Sequence, residues 1–155
     1  MLVIKVNYNK IMRNLREEHN LTQEDVAKSI GINRVQYNQY ENDYYSIPVK
    51  HLNKIAVFYN VSVDYLLGFT DNLNYKNISS EIDNIKAGIR LKEFRKEYKL
   101  TQVKLASILN TTFSSIAFNE KGRNLIATPF LYTICKKYGV SADYLLGKID
   151  YQPKL

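Results

Sequence analysis

Residues 61–68 read VSVDYLLG, and residues 140–147 read VSADYLLG. An octapeptide that recurs with one substitution, 79 positions on, constrains this chain more than any other feature. At the same offset LREEHNLTQEDVA (15–27) lies over FRKEYKLTQVKLA (94–106), Tyr40-Glu41 over Asn119-Glu120, and Tyr59 over Tyr138. No gap is needed from Leu15 to Gly68, a span of 54 residues. A match of that length is a duplicated domain, so the fold must be one small unit built twice.

Within each copy the apolar period is helical. In the first, Ile11, Met12 and Leu15 make a stripe that stops near His19-Asn20. Thr22 then caps a second helix, with Asp25 completing a capping box. Val26, Ala27 and Ile30 form its inner face, and Gly31 ends it. Asn33 is the N-cap expected for a third helix running to Glu41, with Val35 or Tyr37, and Tyr40, as its buried side chains. Pro48 suits the first turn of a fourth helix that turns Val49, Leu52, Ile55, Ala56 and Tyr59 inward. Ser62 caps a short fifth helix closed by Gly68, which explains the octapeptide: its Ser starts the helix, its Asp suits the helix dipole, its Leu pair packs and its Gly stops it. The motif is structural rather than a site.

The reading is all-α: domains over 1–69 and 81–150 joined by a polar linker, TDNLNYKNISS (70–80). Ser80 with Asp83 is expected to cap a long first helix of the second copy, with Ile82, Ile85, Ile89 and Phe94 on one side. MLVIKV has the composition of a strand, open to pairing with another chain's edge or to disorder. It is too short for a signal-peptide core. No apolar run approaches the roughly 20 residues of a membrane helix. The lone Cys135 offers no disulfide framework. A cytoplasmic protein with no membrane partner is expected.

Net charge is +7, unevenly placed. Residues 1–69 carry eight Lys/Arg against seven Asp/Glu, whereas residues 86–155 carry thirteen against five. A positive field of this kind favours polyanions, nucleic acid first.

Helix, glycine-containing turn, helix is the layout in which a second helix enters the major groove while the first crosses the backbone. LTQEDVAKSIGINRVQYNQYEN in the first copy has that layout, and with VSVDYLLG it resembles the Cro/cI-type phage-repressor family, also called XRE-type helix-turn-helix. The resemblance covers about 9–69 and 85–148. It implies two five-helix bundles like those of lambda repressor, and a transcriptional regulator, most simply a repressor, whose partner is double-stranded DNA. Arg34 can present a two-donor fork to guanine, and Gln36, Asn38 and Gln39 can pair with adenine edges. By resemblance Asn33, Arg34, Val35 and Gln39 are base-facing, while Gln23 and Asn42 contact phosphate. Arg16 with Glu41, and Arg95 with Glu120, are the internal ion pairs that the family places between the first and third helices. Tyr44, just past the reading helix, is open to donating to phosphate or to sitting in a loop.

The second copy departs from the pattern where DNA would be read. Its third helix presents Thr112, Phe113, Ser114, Ser115, Ala117 and Phe118, with Phe113 in place of Arg34 and Phe118 in place of Gln39. Such side chains can meet thymine methyls but supply no hydrogen-bond code. Three readings stand. The face docks on DNA through phosphate contacts from Gln102, Lys121, Arg123 and Lys92; it is an interaction surface; or one Phe turns inward. Partner binding or dimerisation combined with backbone contact is favoured.

His19 and His51 lack companions at ligand spacing, so no metal is expected. Cys135 takes the place of inward-facing Ala56 and reads as a buried thiol. The glycines make no phosphate cradle. No catalytic constellation is present and no cofactor is expected. The poor chemistry of 112–120 favours a homodimer over a single-chain pseudo-dimer. The rival class is a protein-interaction module, such as an antitoxin or anti-regulator, whose second domain grips a partner protein.

Overall fold

A computed structural model describes residues 8–155; MLVIKV and the strand expected there lie outside them. Among the described residues the chain forms ten helices and no strand. It divides into two compact units between Lys76 and Asn77. The first contains α1 (Tyr8–Glu18), α2 (Gln23–Ile30), α3 (Arg34–Glu41), α4 (Val49–Tyr59) and α5 (Val63–Leu66). The second contains α6 (Asn84–Glu97), α7 (Gln102–Ile108), α8 (Phe113–Glu120), α9 (Thr128–Tyr138) and α10 (Ala142–Leu145).

Local chemistry sets the boundaries of the first unit. Thr22 Oγ1 accepts from the Asp25 N–H while Asp25 accepts from the Thr22 N–H, closing the capping box that starts α2. Asn33 and Ser62 cap α3 and α5 by accepting from the backbone N–H three residues on. Pro48 takes the N-cap of α4 rather than its first turn, at φ −61°. Tyr8, Met12 and Leu15 of α1 pack with Val26, Ala27, Ile30, Tyr37, Leu52, Ile55, Ala56 and Leu66 in one buried core. Each large side chain of that set contributes about 1.5–3 kcal/mol by leaving water.

The second unit repeats this plan, with differences at its start. α6 begins at Asp83, whose carboxylate accepts from the Ile85 and Lys86 N–H groups, not at Ser80. Its buried face is Ala87, Gly88, Leu91 and Phe94, and Ile85 and Ile89 are exposed. The expected Ile82–Ile85–Ile89 stripe is therefore corrected. The cause is close packing of α6 on the end of α8: a Cβ on Gly88 would lie 2.5 Å from the Glu120 carbonyl oxygen and 2.7 Å from that of Asn119. Ala87 falls where Tyr8 falls in the first unit. There the buried Tyr8 hydroxyl accepts from the Ile47 N–H at 3.1 Å. In place of that ring the second unit keeps a cavity of about 20 Å³ beside Ala87, Gly88 and Ile126, room for one water.

Residues 70–80 are not one free tether. The Ser62 N–H donates to the Leu73 carbonyl (2.8 Å), Asn74 Nδ2 to Asn60 Oδ1 (3.0 Å), and the Tyr75 hydroxyl to the buried Asp64 (2.8 Å). Ser79 instead donates its N–H to the Lys148 carbonyl of the second unit.

Candidate nucleic-acid interface

The α2–α3 corner of the first unit is fixed from below. Gly31 holds φ +77°, and no atom stands within 4 Å of where its Cβ would lie, so backbone conformation rather than space calls for glycine. Two residues on, Asn33 starts α3, which buries Tyr37 and Tyr40 and turns its other side outward. Arg34 and Val35 are exposed there, Val35 by 67%. Gln36, Asn38 and Gln39 are half-buried beside them. Arg34 also lines an open groove with Arg16, Thr22, Gln23 and Glu24 at the start of α2.

Several of the candidate side chains are partly engaged within the protein. Asn33 Oδ1 accepts from the Gln36 N–H, and Gln36 Nε2 donates to the Tyr40 hydroxyl at 3.0 Å. That hydroxyl lies 3.2 Å from His51 Nδ1. Asn38 Nδ2 donates to Gln23 Oε1 at 3.0 Å, tying the reading helix to the start of α2. Tyr44 and Tyr45 are exposed beyond the helix end.

The far end of α3 is clamped to α1. Arg16 Nη2 donates to Glu41 Oε1 (2.7 Å), its Nε to Oε2 (3.0 Å), and its Nη1 to the Leu21 carbonyl (3.0 Å). Glu41 is 1% exposed. Burial by itself would raise its pKa, but hydrogen bonds from Arg16 and Arg13 and the Arg16 charge hold it below the usual carboxylate value. The same contact with Glu41 raises the Arg16 pKa. Burial pushes the pKa of Tyr59, whose ring centre lies 5.1 Å from that of His19, up to about 12.

Sequence reasoning missed Arg13. Its Nε donates to Glu41 Oε1 (3.2 Å) and its Nη2 to Asn42 Oδ1 (2.8 Å), so Asn42 is held at the end of α3 by an arginine of α1. The available signal was spacing, since Arg13 stands one helical turn before Arg16 and faces the same carboxylate.

The second unit keeps the clamp and alters the face. Arg95 Nη2 and Nε donate to Glu120 at 2.8 and 3.0 Å, and Nη1 to the Leu100 carbonyl at 2.9 Å. Ala117 stands where Asn38 stands, and Gln102 has turned inward: its Nε2 donates to Glu120 at 3.2 Å instead of facing a phosphate. Phe113 and Phe118 are both exposed, at 52% and 39%, so neither folds inward. The Arg123 guanidinium sits 5.2 Å from the Phe118 ring centre. Thr112 caps α8 through Ser115, Ser114 is exposed and Ala117 half-buried, and Lys121 is exposed just past the helix.

No group of three or more His, Cys, Asp or Glu among the described residues is placed to hold a metal. No described helix is long and apolar enough to cross a membrane. Cys135 is buried.

Comparison with known proteins defines the class. A family model described as "Helix-turn-helix" matches residues 12–66, and a second, "Helix-turn-helix domain", matches 88–150. The chain is 38% identical over 95 residues to the uncharacterized HTH-type transcriptional regulator YobD of Bacillus subtilis, covering 61% of this chain and 82% of that protein. It is 35% identical over 68 residues to the HTH-type transcriptional regulator ImmR of the same organism (44% of this chain, 53% of ImmR). It is also 32% identical over 76 residues to the cryptic phage CTXphi transcriptional repressor RstR of Vibrio cholerae (49% and 68%). The chain belongs to the helix-turn-helix transcriptional regulators and carries two such domains in tandem. No solved structure matches it.

Proposed function

We propose that this DNA-binding regulator represses transcription, reading a specific duplex site in the major groove with the helix that starts at Asn33 and ends at Glu41. One observation carries the reading. Arg34 and Val35 stand exposed at the start of a helix whose own start is set by a left-handed glycine and whose end is clamped by Arg16. In this reading Arg34 forks onto guanine, and Val35 packs on a thymine methyl. Gln36, Asn38 and Gln39 offer amide edges, and Asn33 lies at the base edge. Gln23, Asn42 and Tyr44 hold phosphates, with Lys121 and Arg123 adding backbone contact from the second domain. The helix-turn-helix bundles lie within 1–69 and 81–150, with residues 73–75 bonded back onto the first, and the regulator acts in the cytoplasm without catalysis. Two-fold operators place their half-sites about one DNA turn apart. A homodimer presenting two copies of α3 meets that demand better than a single chain whose α8 offers no charged or amide group before Asn119. That RstR is named a repressor supports the direction of regulation.

The test is transcription in vitro from a promoter that overlaps the chain's preferred site. Falling transcript with added protein, relieved by Arg34→Ala, is the expected result. A rise in transcript would make it an activator, and no change would sever binding from control. The exposed phenylalanines favour a second reading, in which the second domain is a protein-interaction module of the antitoxin or anti-regulator kind.

A further inference from the structure

We propose that the outer face of α8, with the first turn of α7, is a docking surface for an acidic protein segment carrying an apolar anchor. This rests on the interaction reading of the second domain and leaves DNA reading by α3 unchanged.

The two units, laid over each other, show what has been exchanged. In the first, Gln23, Glu24 and Arg34 line one groove. Their counterparts are Gln102, which points inward to Glu120, Val103, which is 64% exposed, and Phe113. Asp25 of the capping box is replaced by exposed Lys104, Gln39 by Phe118, Asn42 by Lys121 and Tyr44 by Arg123. Most of these changes remove an acid or an amide, or add an apolar or basic group; Ser114 in place of Val35 runs the other way, and Phe113 in place of Arg34 also removes a charge. In the proposal the exposed Val103, Phe113 and Phe118 form the apolar centre of this face, and the exposed Lys104, Lys121 and Arg123 its basic rim.

Three occupants compete, and the chemistry separates them. Base edges present donors and acceptors that this centre cannot satisfy. Burying unpaired polar groups costs about 1–3 kcal/mol each, so DNA is a poor fit for the centre. A second copy meeting the same face across a two-fold axis would bring the basic rim onto itself. An acidic segment with a leucine or aromatic anchor answers both parts. The anchor covers the phenylalanines, and its carboxylates meet the rim. Aromatic and arginine side chains are also the groups that most often dominate protein–protein affinity, and here Arg123 lies over Phe118.

The test selects binders to the full-length chain from a displayed library of random peptides, then titrates the winners by fluorescence anisotropy. Expected winners carry an apolar residue flanked by Asp or Glu and lose affinity at least about tenfold when Phe113→Ser and Phe118→Gln are combined. They are also expected to weaken with added salt. Lys104→Glu provides a second variant that leaves the apolar centre and the groups assigned to the DNA backbone intact, and it should weaken the same peptides. Duplex-DNA binding of every variant is measured alongside. Winners insensitive to both variants, or no winners, would overturn the proposal. So would a variant that keeps its peptides but changes its preferred DNA site, which would return the face to DNA. Loss of DNA binding by Arg34→Ala bears only on α3, so failure of one reading is told apart from failure of the other.

Discussion

Gln23 and Asn38 are joined by one hydrogen bond of 3.0 Å, from the Asn38 amide to the Gln23 amide oxygen, which ties the start of α2 to the reading helix. In the second unit Ala117 has replaced the asparagine, and Gln102 donates instead to Glu120. The carboxylate's partners differ too: Arg13, which donates to Glu41, is Lys92 in the second unit, and there Gln102 joins Arg95 on Glu120.

Asn38→Ala is expected to imitate the second unit, letting Gln23 turn toward Glu41 and weakening DNA binding. A double-mutant cycle with Gln23→Ala on operator affinity should give a coupling of roughly 0.5–3 kcal/mol. Additive effects would show that the two amides act on DNA independently.

Arg16→Ala removes the main partner of a buried carboxylate, and breaking such a pair typically costs about 3–5 kcal/mol. Hydrogen exchange read at amides of α1 and α3 localises the loss to the first unit, where a whole-chain melt would mix two units. Unchanged protection would mean that Arg13 alone suffices to hold Glu41.

The depressed pKa of Glu41 gives a pH dependence of known sign. A carboxylate whose folded pKa lies below its unfolded one contributes stability above the ordinary carboxylate range and loses it as pH falls through the folded value. Protection of the α1 and α3 amides should therefore fall on acidification, and Glu41→Gln should flatten that fall. An equal slope in both proteins would place the titration elsewhere.

Gly88→Ala tests the packing of α6. In an open helix this change stabilises by roughly 0.5–1 kcal/mol. Here the new Cβ meets two backbone carbonyls at 2.5 and 2.7 Å, which cannot swing aside as a side chain would. Destabilisation of the second unit by about 1–3 kcal/mol is expected, read as loss of exchange protection in α6 and α8. A gain in protection would show that the helices separate at little cost.

What the sequence made legible was mostly what is set locally. Thr22, Asp25, Asn33, Ser62 and Gly31 act within three or four residues of themselves, so their roles follow from spacing. The inner faces of α2 and α4 follow from period. The face of α6 did not, because it is chosen by contact with α8 through Gly88, and no periodicity within α6 reports that contact. Residues 70–76 look like a tether from polarity alone, yet Leu73, Asn74 and Tyr75 bond back to the first unit through groups that composition does not distinguish. Gln102 was misplaced for a similar reason. Its partner is Glu120, eighteen positions away on another helix, in a unit that has lost both the asparagine of α3 and the arginine at the position of Arg13.

The most direct measurement is selection of binding sites from random duplex DNA by the full-length chain and by its Arg34→Ala variant, with each enriched site titrated at several salt concentrations. Reading by α3 in a homodimer is expected to give a palindromic site. Arg34→Ala should then lose about 1–3 kcal/mol and relax preference at one base position per half-site, while the salt slope, set by phosphate contacts, changes by at most about one. Full affinity and the same preferred sequence in the variant would contradict the docking of α3 in the major groove.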